Sequence, residues 1–266
     1  MKKDTTETAL ITGSYGGLGR CFAALHAARG GSLILVGRSE EKLAAQKSEL
    51  AGKYHADIQT IACDLSQPGA AAHIHDTCRE HGWTVDVLIN NAGFGGRGDF
   101  ARERSMEDDL AMIAVNIETP TRLLKLFLPD MIARGAGRVL NVSSTAASMP
   151  GPLQAVYFAT KAYLTSLGNA LARELADTGV TVTTLMPGAM KTGFIARGDL
   201  ARSKMFQNAI DPMDVARDGY EGMRAGKLNV VSGLVSWQKP FVSLAPLLPK
   251  KAMLDFVYDQ HQDQAR

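Results

Sequence analysis

The sequence predicts an α/β fold built on a doubly wound parallel sheet, with helices on both faces. Three observations carry that expectation. Short apolar runs alternate with helical stretches along the chain, as strands linked by right-handed crossovers require. Leu33-Ile34-Leu35-Val36 is apolar throughout, which suits a strand covered on both sides. A glycine-rich turn, Thr12 to Gly19, falls between the first apolar run and the first helical stretch.

Taken in order, Ala9-Leu10-Ile11 is the first strand, and Leu18, Phe22 and Leu25 then recur at helical spacing. Leu33 to Val36 is the second strand, and Ser39 caps a helix that runs to Leu50. Ile58 to Ala62 is the third, followed by a helix from Pro68 to Arg79 with Ser66 as its cap. Val85 to Ile89 is the fourth. A long helical stretch covers Met106 to Arg134, with a break expected near Pro120. Arg138 to Val142, Val180 to Leu185 and Leu228 to Val231 complete a sheet of about seven strands. Val156 to Thr178 is helical, and Asp211-Pro212-Met213-Asp214 opens another helix with a cap, a first-turn proline and an acid. No repeat, linker or shift of composition divides residues 1–266. One domain is therefore expected, with a lid segment near 190–210 and a helical C-terminal tail.

The 266 residues are 45% apolar and 21% charged, a globular balance, and the net charge of +2 gives no footing for nucleic acid or an anionic membrane. Cys21, Cys63 and Cys78 make no disulfide framework. Met1-Lys2-Lys3 meets Asp4 and Glu7 before any apolar stretch, so no export signal is expected and the reading is cytoplasmic. No apolar run is long enough to span a membrane; Phe241 to Leu248 is interrupted by Ser243 and Pro246. His73, His75, Cys78 and His81 crowd one helical stretch without completing a metal-ligand spacing, so no metal site is expected.

Two groups of residues carry chemistry. In the turn, Gly13, Gly17 and Gly19, with Ser14, Tyr15 and Leu18 between them, let backbone N–H groups approach a pyrophosphate at a helix N-terminus. An NAD site would place an acid at the end of the second strand; here Arg38 stands there, and a guanidinium can clamp a 2′-phosphate. The pattern points to NADP(H) rather than NAD(H), although Arg38 alone is also compatible with an ordinary solvated residue after a strand. The second group is Tyr157 and Lys161, at i and i+4 on one helix face. A free Tyr is a poor acid–base group at neutral pH; an adjacent ammonium favours its phenolate. Ser144, at the end of the fifth strand, lies at the ligand edge of the sheet, where a hydroxyl can donate to a developing oxyanion. Ser143 and Thr145 compete with it on chemistry alone.

With these residues in order, the chain resembles the short-chain dehydrogenase/reductase family, of the single-domain Rossmann-type kind, from Ala9 to about Gly233. The matches are Thr12-Gly13-x-x-x-Gly17-x-Gly19, Asp64-Leu65, Asn90-Asn91-Ala92-Gly93, Asn116, Ser144, Tyr157-x-x-x-Lys161 and Pro187-Gly188 with Thr192. The resemblance implies an oxidoreductase that moves a hydride between NADP(H) and a carbonyl or secondary alcohol. Ser144 would polarise the carbonyl, Tyr157 would be the acid–base, and Lys161 would tune Tyr157 and bind ribose hydroxyls. Asn116 would hold a water linking Lys161 to solvent. Asp64 and Leu65 would flank the adenine, Asn91, Ala92 and Gly93 would line the cofactor, and Pro187, Gly188 and Thr192 would border the nicotinamide. A homodimer or homotetramer is implied too. Two departures stand out: Ala147 replaces a frequent glycine, and Tyr15-Gly16 replaces a basic residue common among NADP-using relatives. Met190, Phe194, Ile195, Met205 and Phe206 make the expected lid apolar, which suits an apolar small-molecule ketone. The alternative from another class is a cofactor-binding sensor or scaffold without turnover, which would be expected to lack one of Ser144, Tyr157 and Lys161.

Overall fold

A computed structural model describes residues 7–190, 210–234 and 249–261. Thr192 and most of the expected lid, with Phe194, Ile195, Met205 and Phe206, lie outside the described residues, as does the 235–248 part of the tail.

The element order is β1 (Thr8–Thr12), α1 (Gly17–Ala27), β2 (Ser32–Gly37), α2 (Glu40–Tyr54), β3 (Ile58–Ala62), α3 (Ala70–Glu80), β4 (Val87–Asn90) and α4 (Met106–Ile113). A π-helical segment (Ala114–Glu118) then leads into α5 (Thr119–Arg134), β5 (Gly137–Val142) and a 3-10 turn (Thr145–Ser148). α6 (Ala155–Glu174), β6 (Val180–Pro187), α7 (Pro212–Arg224), β7 (Asn229–Ser232) and α8 (Lys250–His261) follow. All seven strands pair in parallel, in the order β3-β2-β1-β4-β5-β6-β7. The order reverses between β1 and β4, and such a switch point opens a crevice at the carboxyl ends of the strands.

The apolar strands are double-sided for a visible reason. Ile11, Leu35 and Ile89 face one core with Phe22 of α1, Leu43 of α2 and Tyr220 of α7. Leu10, Ile34 and Leu88, one residue out of phase, face the other core with Ile74 of α3 and Phe127 of α5. Ser39 and Asp211 cap their helices, accepting the N–H groups of Lys42 (3.3 Å) and Met213 (2.8 Å).

Two local expectations fail. Ser66 caps no helix: its N–H and hydroxyl both donate to Asp64 Oδ1, at 3.0 and 2.8 Å. Pro68 holds Gln67 out of helical geometry, and α3 begins only after Gly69, whose φ is 83°. Nor does the long helix break at Pro120, which sits in the first turn of α5. The irregularity comes just before it, as the wider π winding of Ala114–Glu118. The sequence-based ends of the sixth helix and fourth strand also move by a few residues, to Glu174 and to Val87–Asn90.

At the edge of the sheet away from the crevice, His26 is buried between Tyr220 and the chain entering β1. Its Nε2 lies 2.9 Å from Glu7 O, which can only accept, so Nδ1 accepts from the Tyr220 hydroxyl at 2.8 Å. Gly31 is required here: a Cβ on it would lie 2.2 Å from His26 Nε2. Burial holds the His26 pKa below its ordinary 6.5. The unfolded chain therefore binds this proton first, and the stability it withholds is lost as pH falls below 6.5. Melting temperature should drop between neutral and mildly acidic pH. His26→Asn should flatten that drop while losing about 1–3 kcal/mol at neutral pH, because the buried ring and its Nε2–H bond to Glu7 O are lost. Chemical denaturation across pH checks both; an unchanged pH slope in the variant would refute the assignment.

Candidate active site

The crevice is a cavity of about 1160 Å³, bordered at one end by the glycine turn and the end of β2, and at the other by the end of β5, α6 and α8. The turn is held by a reciprocal clasp. Thr12 Oγ1 accepts the N–H groups of Asn91 and Ala92, both at 3.0 Å, and Asn91 Nδ2 donates to Thr12 O (2.8 Å) and Gly13 O (3.2 Å). Gly13 has φ 64°, open to glycine. A Cβ on Gly19 would lie 2.3 Å from Gly13 O, so only glycine lets α1 start this close. Gly16, the N-cap of α1, supplies no side-chain bond, and first-turn N–H groups are left for an anion. Gly13, Tyr15, Gly17, Leu18 and Gly19 border the cavity.

Ser14 does not. It is wholly buried, its hydroxyl donating to Gln46 Oε1 (3.0 Å) and its carbonyl accepting from Gln46 Nε2 (2.9 Å). It anchors the turn to α2 rather than facing a ligand. Tyr15 packs its ring on Gly37, and its hydroxyl accepts the N–H groups of Arg38 (3.0 Å) and Ser39 (3.2 Å). The guanidinium-bearing Arg38 is exposed on the cavity wall, and the Lys42 ammonium stands 5.8 Å from the Tyr15 ring centre. Asp64 and Leu65 border the same end of the cavity.

At the other end the three hydroxyls after β5 are placed differently. Ser143 turns into α6, donating to Lys161 O (2.8 Å) and pairing with Thr165 Oγ1 (2.6 Å). Thr145 opens the 3-10 turn. Ser144 is hydrogen-bonded to the Tyr157 side chain and also accepts the N–H of Ala146 at 3.1 Å. Lys161 Nζ donates to Val142 O (2.9 Å) and lies 5.9 Å from the centre of the Tyr157 ring. Gly93 abuts this group: a Cβ on it would be 3.1 Å from both Lys161 Nζ and Asn116 Oδ1. Pro187 and Gly188 close the cavity at the end of β6, where a Cβ on Gly188 would lie 2.4 Å from Gly233 O.

Asn116 lies beneath the cavity, buried in the π segment. Its Nδ2 donates to Phe94 O (2.9 Å) and Thr160 Oγ1 (3.0 Å), and its Oδ1 accepts Phe94 N–H (3.1 Å). Both amide hydrogens are thus used by protein, and the side chain joins the loop after β4 to α6. For Tyr157, burial outweighs the lowering expected of Lys161. Burial pushes the Tyr157 phenol up to about 12, with the Ser144 bond opposing it, and burial brings Lys161 down to about 8.

Sequence reasoning singled out no individual residue of the substrate-side walls. Arg104 donates through Nε and Nη2 to Asp109 Oδ1 (3.0 and 2.8 Å) beside the cavity, and Phe256, Val257 and His261 reach it from α8. The apolar stretch from Trp237 to Tyr258 is compatible from sequence with a pocket cover, a membrane surface or a helix packed on the core; the described part of α8 buries Met253, Val257 and His261.

A parallel sheet that gathers a phosphate-ready turn and a hydroxyl pair at its carboxyl edge defines a class: nicotinamide-dependent oxidoreductases. Comparison with known proteins narrows it. The family model for short chain dehydrogenase matches residues 7–200. Oxidoreductase UcpA of Escherichia coli (strain K12) is 36% identical over 195 residues, 72% of each chain. A short-chain dehydrogenase from Sphingobium yanoikuyae, solved in complex with NADPH, superposes with a TM-score of 0.81 at 26% identity, covering 98% of both chains. A structure described for 7beta-hydroxysteroid dehydrogenase stereoselectivity gives a TM-score of 0.83 at 26% identity, covering 94% of this chain and 96% of that one. The chain belongs to the short-chain dehydrogenase family and is an NAD(P)-dependent oxidoreductase.

Gly19→Ala should weaken dinucleotide binding at least about tenfold, because backbone at the turn must shift to admit the methyl. Titration of reduced cofactor by its fluorescence checks this; unchanged affinity would mean that the turn does not hold the pyrophosphate.

Proposed function

We propose that the protein is an NADPH-dependent ketone or ketoacyl reductase, able to run in reverse on a secondary alcohol. The observation that carries this reading is the Ser144–Tyr157 hydrogen bond in the cavity, with the Lys161 ammonium buried beside it. When bound, the nicotinamide supplies hydride to the carbonyl carbon. Ser144 orients and polarises the carbonyl oxygen, and Tyr157 hands it the phenolic proton. With its pKa near 12, Tyr157 arrives protonated, as a donor must. The phenolate left behind is stabilised by the Ser144 hydroxyl and by Lys161 while that ammonium keeps its charge. Val142 O holds the ammonium in place, and Gly93 leaves it room.

NADP(H) is favoured over NAD(H) by Arg38 on the cavity wall and by the absence of an acid at the end of β2; the NADPH complex of a relative supports it. Phe94, Met149, Phe158 and Val257 make the substrate end apolar, which suits a bulky ketone, and the hydroxysteroid relative fits that choice. Exposed Met106 and Leu110 on α4 support a homodimer or homotetramer. The free Cys21, Cys63 and Cys78 suit a cytoplasmic setting.

The direct test follows loss of the reduced-nicotinamide absorbance with quinones, aryl ketones, steroids and ketoacyl thioesters. NADPH oxidation on one of them is expected; tight NADPH binding with no oxidation on any would favour a sensor. Tyr157→Phe should keep NADPH affinity and lose turnover by at least ~100-fold. Arg38→Ala should raise the Kd for NADPH far more than that for NADH; equal losses would remove the 2′-phosphate argument. Ketone reduction should hold steady up to about pH 8 and fall above it, as Lys161 loses the charge that its folded pKa of about 8 allows. A rate that keeps climbing above that pH would contradict the role given to Lys161.

A further inference from the structure

α8 presents Met253, Val257 and His261 on one buried face, against Met112, Ala146, Tyr157 and Phe158. His261 is the polar member of that face, and its whole side chain is enclosed. Its ring meets Phe158 edge-on, with centroids 5.6 Å apart, and Phe158 in turn meets Tyr157 edge-on at 6.1 Å. His261 therefore stands one aromatic ring beyond the proton donor, at the wall of the same cavity.

The tautomer follows from geometry. His261 Nδ1 is 3.0 Å from Pro152 O, and a carbonyl oxygen only accepts, so Nδ1 carries the hydrogen. Burial and the nearby Arg97 charge keep the imidazole neutral. Nε2 is then a lone-pair acceptor, buried, and among the described residues nothing donates to it. The imidazole has little freedom to turn elsewhere. Pro152 belongs to a loop whose next residue, Leu153, has φ 64°, and Leu153 O is held by Gly98 N–H at 2.8 Å. A buried acceptor left without a donor costs stability, and a ligand that brings the donor recovers it.

We propose that His261 Nε2 is a specificity-determining acceptor, which takes a hydrogen bond from a hydroxyl or N–H that the substrate carries about one ring's width from its reacting carbonyl. The substrate is then a ketone with a second, donor-bearing group at its far end. This rests on the reading of the cavity as a ketone site.

The test is binding, without turnover. Protein saturated with NADP+, with which a ketone cannot react, is titrated by calorimetry with a bicyclic ketone (decalone) and with the decalone that bears one hydroxyl on its second ring. The hydroxylated ketone should bind at least about tenfold more tightly. His261→Asn keeps an N–H for Pro152 O and removes the acceptor at the Nε2 position; it should lose that preference, the two ketones binding about equally. His261→Gln, whose side-chain oxygen reaches toward the Nε2 position, should restore part of it. Equal affinities in the wild type, a preference that survives His261→Asn, a parallel loss for both ketones, or no binding of either would overturn the proposal. A preference that depends on His261, with no ketone ever reduced by NADPH, would instead overturn the reductase reading and leave the acceptor in place.

Discussion

The site depends on the clasp between the ends of β1 and β4. Thr12 Oγ1 holds the backbone leaving β4, and Asn91 Nδ2 holds the backbone leaving β1. Each residue satisfies the other's chain where the sheet reverses and no neighbouring strand can do so. The consequences run outward from there. Gly13 and Gly19 can touch only because this turn is tight, and Gly93, two residues past Asn91, is thereby set against Lys161 and Asn116. One local bond pattern thus sets the glycine turn against a polar centre that lies far from it in sequence.

The polar centre is stable because its members are nearly all bonded to protein. An ammonium as buried as Lys161 is costly unless paired; Val142 O takes one of its hydrogens, and burial still draws its pKa down to about 8. Ser143, which looks from sequence like a rival to Ser144, serves this arrangement by bonding Lys161 O and Thr165, tying β5 to α6. Asn116 does the same from the other side, through Phe94 and Thr160. Ser144 and Tyr157 stand at the cavity with their side chains bonded to each other.

Periodicity made the strands legible, because a double-sided sheet needs apolar residues at consecutive positions, and it made their order along the chain plain. Gly13 and Gly19 were legible because a left-handed backbone and a close backbone approach leave no room for a Cβ there. Other features were hidden because they depend on partners remote in sequence. Ser14 looks like a phosphate ligand until Gln46 arrives from α2. Ser66 looks like a cap until Asp64 takes both its donors. The π winding at Asn116 has no period to betray it, and a lone His261 near the C-terminus carries no motif. Its meaning appears only when α8 packs against the loop at Pro152.

The central claim is that this cavity passes a hydride directly to a carbonyl carbon while Tyr157 supplies the proton. The most direct measurement uses NADPH stereospecifically deuterated at C4 with a ketone that the protein turns over, and locates the label in the product. The account predicts one deuterium on the carbinol carbon, from one face of the nicotinamide only, with the hydroxyl hydrogen drawn from solvent. An alcohol without deuterium at that carbon from either C4 epimer, or label lost to water, would contradict it.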